Sequence, residues 1–160
     1  MALSAIRTMH AKDVISAKLA SAYVSVKGER FLLFQAKKLE AKLEKKKEEV
    51  AILGRMAKGH KATSVNGAGN MTIYKNTPLF DRMLLEFKST GKDTYFDLQI
   101  TNEDPTSAAG RQVTILKDCN IDSGIIAAFD ADGEWLEQDV DFTFEDVEQP
   151  TQFKMLDGMQ

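Results

Sequence analysis

Along this 160-residue chain the apolar positions fall into several short stretches with strand spacing, in which alternate side chains share a face. Residues 22–26, Ala-Tyr-Val-Ser-Val, read as a strand, and Lys27-Gly28 as the turn of a hairpin. Residues 62–75 carry Asn66-Gly67-Ala68-Gly69 and then Met71-Thr72-Ile73-Tyr74, a strand whose glycines permit a bulge or a close approach. Residues 94–100 and 112–116 predict strands, and 118–129 one or two more. Asp132-Gly133 reads as a hairpin turn. In residues 136–147, Leu136, Val140, Phe142 and Phe144 alternate with acidic residues, the pattern of a half-buried strand. The tail from Gln149 is expected to fray.

Two stretches carry helical spacing. In the first, Thr77 can cap and Pro78 suits a first helical position. Leu79, Phe80, Met83, Leu84 and Phe87 then form an apolar stripe, and Gly91 ends it, so a helix is predicted near residues 78–90. The second, residues 31–53, supports two readings. Leu39, Leu43, Val50 and Leu53 lie at heptad-like intervals, though Lys46 breaks the series, and Glu, Lys and Ala favour helix. Phe31, Leu33, Leu39, Ala41 and Leu43 also share one strand face, with Glu40, Lys42 and Glu44 opposite. Taken alone, this window favours the helix. Residues 1–19 are polar and weakly patterned, a short helix or an arm, and 102–110 form a polar loop. Residues 54–61, punctuated by Gly54 and Gly59, read as a loop. Nothing repeats and no linker intervenes, so one mainly β (α+β) domain with one packed helix is expected.

Composition narrows the class. With 43% hydrophobic and 28% charged residues the chain is globular. A domain of this length buries roughly 70% of the surface its unfolded chain exposes. The single cysteine, Cys119, excludes a disulfide framework and a cysteine-built zinc site, and reads as a buried thiol. Arg7, His10, Lys12, Asp13 and Lys18 interrupt the N-terminal stretch, so no signal peptide is expected, and no apolar run reaches the ~20 residues of a membrane span. A cytoplasm-like compartment follows. The net charge of −3 excludes a generally basic nucleic-acid binder. Its distribution is uneven: residues 27–61 hold eleven basic and five acidic side chains, and residues 118–148 hold eleven acids and no Lys or Arg. Such segments either pair within the monomer or supply the two unlike surfaces of a head-to-tail contact between copies.

Catalytic and ligand motifs are incomplete. Gly67-Ala68-Gly69 starts like a dinucleotide fingerprint but lacks its third glycine and precedes a strand. Asp130-Ala131-Asp132-Gly133-Glu134 starts like a calcium loop, but Trp135 stands where the loop needs glycine. His10 and His60 have no carboxylate motif nearby, and there is no Gly-x-Ser-x-Gly elbow. Asp139 and Asp141 share a strand face, yet eleven acids in one segment make such a pair uninformative. Aromatic residues do not interleave the lysine run. No catalytic residue, metal or cofactor is expected, and the chain does not read as an enzyme.

Several blocks carry a family resemblance: Gly54-Arg55, Gly59-His60-Lys61, Asn66-Gly67-x-Gly69, Tyr74-Lys75, Tyr95-Phe96 and Phe142-Thr143-Phe144-Glu145-Asp146. Together they resemble the core tail, or tail tube, proteins of PBSX-like defective prophages, a family that also supplies the inner tubes of R-type bacteriocins such as the diffocins. The resemblance covers roughly residues 20–150. It implies a β-sandwich or barrel flanked by one helix, with a long projecting hairpin, forming hexameric rings that stack into a hollow tube inside a contractile sheath. That moves residues 31–45 from helix to long strand and makes 45–61 the projecting loop. The chain then divides into an arm (1–19), the tail-tube domain (20–150) and a tail (151–160). Lys45, Lys46, Lys47, Arg55, Lys58, His60 and Lys61 become candidates for one stacking face. Asp130, Asp132, Glu137, Asp139 and Asp141 become candidates for the opposite face or the lumen, and Gly54, Gly59, Gly67 and Gly69 for structural glycines. The implied partners are further copies of the chain, a tail sheath protein, a tape-measure protein and a baseplate tube initiator, with DNA or ions passing through the lumen. The implied location is a virion or phage-tail-like particle assembled in the host cytoplasm. Rival readings are a secretion-system tube protein of similar fold, a monomeric β-sandwich that binds a ligand, and a helical adaptor surface on residues 39–53.

Overall fold

The computed structural model describes residues 7–159. The described residues form eight strands and one α-helix: β1 (Ala20–Val26), β2 (Glu29–Leu32), β3 (Ala36–Val50), β4 (Gly59–Tyr74), α1 (Leu79–Thr90), β5 (Phe96–Glu103), β6 (Arg111–Ser123), β7 (Glu137–Phe144) and β8 (Asp146–Thr151). A 3-10 turn, Ala11–Asp13, precedes β1. All pairings are antiparallel, in the order β2-β1-β5-β6-β7-β4-β3, with β8 added beside β6.

The first hairpin forms where the sequence places it. Val26 pairs with Glu29, and both turn residues between them have positive φ, Lys27 at 49° and Gly28 at 83°. That conformation matches the right-handed twist of the flanking strands.

One strand serves two leaves of the sheet. The first half of β6 pairs with β5 and β8, while Asn120, Ile121 and Ser123 pair with β7. At the change-over Lys117 and Asp118 lie between the pairs Leu98↔Leu116 and Phe96↔Cys119, and Asp118 adopts a φ of 53°. Its amide donates to the Asp97 carboxylate at 3.1 Å. Such a bulge bends a strand and increases its twist, so the sheet folds over here and its inner faces share one core. That core joins Val24 of β1, Met71 and Ile73 of β4, Phe96 and Leu98 of β5, Leu116 and Cys119 of β6, and Val140 and Phe142 of β7. Helix α1 adds Phe80 and Met83, with the Phe80 ring edge-on to Phe96 at 6.2 Å. The result is the mainly β sandwich with one packed helix.

Several sequence expectations shift in detail. Pro78 is the cap residue and α1 starts at Leu79, whose amide faces Thr77 Oγ1 at 3.4 Å; the helix ends at Gly91 in the left-handed conformation. Phe87, expected in the buried stripe, is exposed. Residues 124–129 are not a strand. Asp132-Gly133 is not a two-residue hairpin: neither residue has positive φ, and the turn closes from the Gly133 amide to the Asp130 carbonyl within a longer connection. The predicted 136–147 strand is two, β7 and β8, and β8 holds the tail in the sheet to Thr151 where fraying was expected from Gln149. The arm, over its described residues, is tied to the 102–110 loop. The Ser16 amide donates to the Asp104 carboxylate, and Asp13 accepts from the Ala108 amide and, through its carbonyl, from the Ser107 hydroxyl. Residues 1–6 of that arm lie outside the described residues.

Candidate functional site

Of residues 31–53, where helical spacing and alternation competed, 31–32 end β2 and 36–50 form β3, so the long strand expected over 31–45 is interrupted at 33–35 and runs on to Val50. Pairing with β4 runs from Ala36↔Ile73 to Val50↔Gly59, so β3 and β4 make one long hairpin. Its register explains the glycines. Gly67 and Gly69 sit opposite Leu43 and Ala41 on one side and Phe144 and Phe142 on the other. A Cβ on Gly69 would meet Phe142 Cζ at 2.6 Å and the Glu40 carbonyl oxygen at 2.7 Å. Close approach, not a bulge, is the reason for glycine there; the irregularities of this pairing lie on either side, between Ala36 and Lys38 and between Lys46 and Lys47.

Beyond Gly67 the hairpin outruns its neighbours. β7 ends at Phe144, paired with Gly67, so among the described strands the stretch from Glu44 to Asn66 pairs only with itself. Nearly every residue along it is exposed, on both faces. An isolated two-stranded hairpin is marginal in water. The projecting loop is therefore shorter than residues 45–61. Lys45, Lys46 and Lys47 are paired with Val65, Ser64 and Ala62, His60 and Lys61 with Glu49 and Glu48, and the tip is only residues 51–58. Arg55 and Lys58 belong to this tip, whose turn closes from the Arg55 amide to the Ile52 carbonyl, with Gly54 between them. Gly59 faces the Ile52 side chain.

The tip also carries apolar side chains that charge counting misses. Leu53 and Met56 are fully exposed, and Val50 and Ile52 are about 40% exposed. Between residues 45 and 61 there are six basic and two acidic residues. One of the acids, Glu49, is engaged by Lys58 at 3.4 Å.

The five acidic candidates divide between two places. Asp139 and Asp141 lie on the outer face of β7, where Asp139 accepts from Thr72 Oγ1 at 2.7 Å and Asp141 from Ser123 Oγ at 3.3 Å. Glu137, at the start of that row, accepts from Lys37 Nζ at 2.9 Å, and this bond raises the Lys37 pKa. By register, the same face carries Lys38, Glu40, Lys42 and Glu44 on β3 and the uncharged Asn66, Ala68, Asn70 and Thr72 on β4. Lys42 and Glu44 bond at 2.8 Å, which lowers the Glu44 pKa. Asp130 and Asp132 are elsewhere, in the connection 124–136 that leads into β7 beside Tyr74. This end of the leaf is opposite the hairpin tip.

The 124–136 connection is anchored by a residue that sequence reasoning named only for resemblance, Lys75. Its ammonium is nearly buried and donates to Asp81 of α1 at 3.0 Å, to Gln138 Oε1 at 3.1 Å and to the Ile125 carbonyl at 2.6 Å. Gln138 itself occupies a core-facing position of β7 and is 1% exposed. Next to the anchor, Tyr74, Asn76, Trp135 and Leu136 line a shallow, mostly apolar groove of about 420 Å³ together with Lys75. The only tryptophan of the chain, set among acids, was the available signal for it.

No described helix is long and apolar enough to cross a membrane. Among the described residues no cluster of three or more His, Cys, Asp or Glu could hold a metal ion.

Comparison with known proteins agrees with this arrangement. A family model described as "Phage tail tube protein" matches residues 7–151. The phage-like element PBSX protein XkdM of Bacillus subtilis (strain 168) is 45% identical over 114 residues, 71% of this chain and 78% of that one. Protein YqbM of the same organism, itself uncharacterized, is 45% identical over 118 residues, 74% of this chain and 80% of that one. The fold matches that of a chain in the sheath/tube terminator of an extracellular contractile injection system, with a TM-score of 0.64 at 13% identity, covering 86% of this chain and 97% of the other.

Proposed function

The chain belongs to the phage tail tube protein family, and from that premise we propose that it is the repeating subunit of the inner tube of a contractile phage tail or R-type bacteriocin. Six copies close each ring, rings stack head to tail, and the product is a hollow conduit with no catalytic role. One observation carries the reading: the outer half of the β3–β4 hairpin is a paired ribbon with no core beneath it. Natural proteins shorten, cover or pair long sheet edges, and β3 is an edge strand of fifteen residues. Neighbouring subunits supply the missing cover, by pairing along β3 within a ring and by receiving the hairpin.

The outer face of the β6–β7–β4–β3 leaf then lines the lumen. It holds Glu40, Glu44, Asp122, Glu137, Asp139 and Asp141 against Lys38, Lys42 and the Lys37 that bonds Glu137. An acidic wall repels phosphate and gives DNA no counterions to release, so DNA or ions pass without sticking. The sheath protein covers the outside, a tape-measure protein occupies the lumen during assembly, a baseplate initiator templates the first ring, and assembly takes place in the host cytoplasm.

Size-exclusion chromatography in low and high salt, with electron microscopy of the concentrated protein, tests this. Hexamers, stacked rings or tubes are expected. Protein that stays monomeric at every concentration and salt overturns the reading and leaves the ligand-binding alternative.

A further inference from the structure

The two ends of the hairpin leaf differ in a matching way. At one end the tip carries exposed Leu53 and Met56 among Arg55, Lys58, His60 and Lys61. At the other, the groove between Tyr74, Trp135 and Leu136 is formed in part by the connection that carries Asp130, Asp132 and Glu134, and residues 124–137 contain no Lys or Arg. Trp135 is 66% exposed, unusual for so large an apolar surface with nothing over it. We propose that the hairpin tip of one subunit seats Leu53 and Met56 in this groove of a second copy of the chain.

The geometry requires a second copy. β4 runs from Gly59 at the tip to Tyr74 at the groove, and sixteen residues in extended conformation span roughly 50 Å. A tip cannot reach its own groove, so each contact leaves one free tip and one free groove, and the series stays open. Electrostatics favours this groove over a larger concavity elsewhere on the fold. The concavity of about 800 Å³ between β1 and β3 is bordered by Lys18 and Lys38, the same sign as the tip, and by Lys37, which is bonded to Glu137 at 2.9 Å. In the Trp135 groove the one cation, Lys75, is already neutralised by Asp81 at 3.0 Å. The acids of the 124–136 connection are left to face Arg55, Lys58 and Lys61. Charge of opposite sign fixes which ends meet and speeds the encounter, and the apolar side chains supply the burial.

This inference rests on the tube reading for its biological setting but is tested separately. In a Met56→Cys/Trp135→Cys double variant, mild oxidation of concentrated protein should give a ladder of linked chains on a non-reducing gel. Either single variant should give none. The Leu53→Cys/Leu136→Cys pair repeats the test with the tryptophan retained. Reversing charge probes the contact without touching the groove. Arg55→Glu/Lys58→Glu subunits should fail to stack on wild-type subunits and should stack on Asp130→Lys/Asp132→Lys subunits. Tubes in the microscope without a ladder from either cysteine pair, or without rescue by the paired reversals, overturn the docking and leave the tube standing. A ladder from short end-to-end chains without tubes supports the docking and overturns the tube. Neither ladder nor tubes overturns both.

Discussion

Gly67 and Phe144 are cross-strand partners, and the phenyl ring lies directly over the glycine. A Cβ at Gly67 would fall 2.6 Å from Phe144 Cδ2 and closer still to Cε2. The ring fills the space a side chain would take, and the next pair inward, Gly69 and Phe142, repeats the arrangement. Glycine therefore lets β4 carry two phenylalanines of β7 flat against its backbone where the hairpin leaves the core.

Valine at Gly67 or Gly69 must push a ring out of the core or pull β4 from its neighbours. Overpacking of this kind costs typically 1–3 kcal/mol, and two clashing sites exceed that. In a domain of this size each kcal/mol lowers Tm by about 2–4 °C. Gly67→Val and Gly69→Val should each melt well below wild type in thermal scans followed by circular dichroism, and the double variant should not fold. Wild-type melting of either single variant would remove the close-packing account.

The Lys75 ammonium joins three elements: the helix through Asp81, β7 through Gln138, and the 124–136 connection through the Ile125 carbonyl. Lys75→Met keeps the stem and removes every donor, leaving Asp81 without its partner. Breaking a buried pair from one side costs about 3 kcal/mol, which for this length lowers Tm by roughly 6–12 °C. The connection should also loosen before the rest of the fold does. Limited chymotrypsin digestion should cut at Phe129 or Trp135 faster than in wild type, and an unchanged cleavage rate would mean that Ile125 needs no anchor.

How legible these features were in sequence depended on whether a residue's partner lay nearby. β1, β5 and β7 bury one face each, so Val24, Leu98, Val140 and Phe142 announce their strands by alternation. The distal part of β3 buries neither face, so its sequence carries no period-two signal, and its Glu, Lys and Leu spacing imitates a helix. It is a strand because β4 pairs with it, and only the family resemblance pointed there. The turn at Lys27-Gly28 is a local matter and was readable; the Asp132-Gly133 turn looked the same but lacks positive φ, because the strands it would join are separated by the long 124–136 connection. For the candidate site, the signs of the two charged segments were visible. That the basic tip and the 124–136 connection with Asp130 and Asp132 fall at opposite ends of one leaf was not, since it follows from the register between β4 and β7. Lys75 and Trp135 escaped because a single ammonium or indole acquires meaning only from what surrounds it.

Cys119 sits in the core with its Sγ donating to the Leu116 carbonyl at 3.5 Å. Burial pushes the thiol from 9.0 up to about 12, and the nearby Asp97 and Asp118 carboxylates push in the same direction. The folded thiol is harder to ionise than the unfolded one. Its contribution to stability is complete below pH 9 and is lost as pH rises toward 12, where the unfolded chain ionises and the native chain resists. At pH 8 the folded protein should not react with a chromogenic disulfide, and one thiol should appear on adding denaturant. Denaturant midpoints should hold steady from pH 7 to about 8.5 and fall above that. A thiol that titrates fully in the native state would contradict the burial seen here.

The last prediction separates folding from association. Lys45, Lys46 and Lys47 are exposed strand residues at the outer part of the hairpin, and none of them makes an ion pair among the described residues. Replacing all three by Glu leaves every buried contact in place, so the far-ultraviolet spectrum and Tm of the monomer should match wild type to within a few degrees, surface substitutions usually being worth about 0.5 kcal/mol or less each. The hairpin, however, changes sign. It would then present six consecutive acids, Glu44, Glu48 and Glu49 included, to the acidic surfaces of other copies. Like charges brought together slow encounter and weaken the contact, most of all at low salt, where the Debye length reaches about 30 Å at 0.01 M. Sedimentation at fixed protein concentration should therefore show wild type in assemblies and the triple variant as free subunits at low ionic strength, with partial recovery as salt is raised. Assembly equal to wild type at low salt would take the lysine triplet out of the interface; loss of assembly accompanied by a lowered Tm would assign it to folding of the hairpin instead.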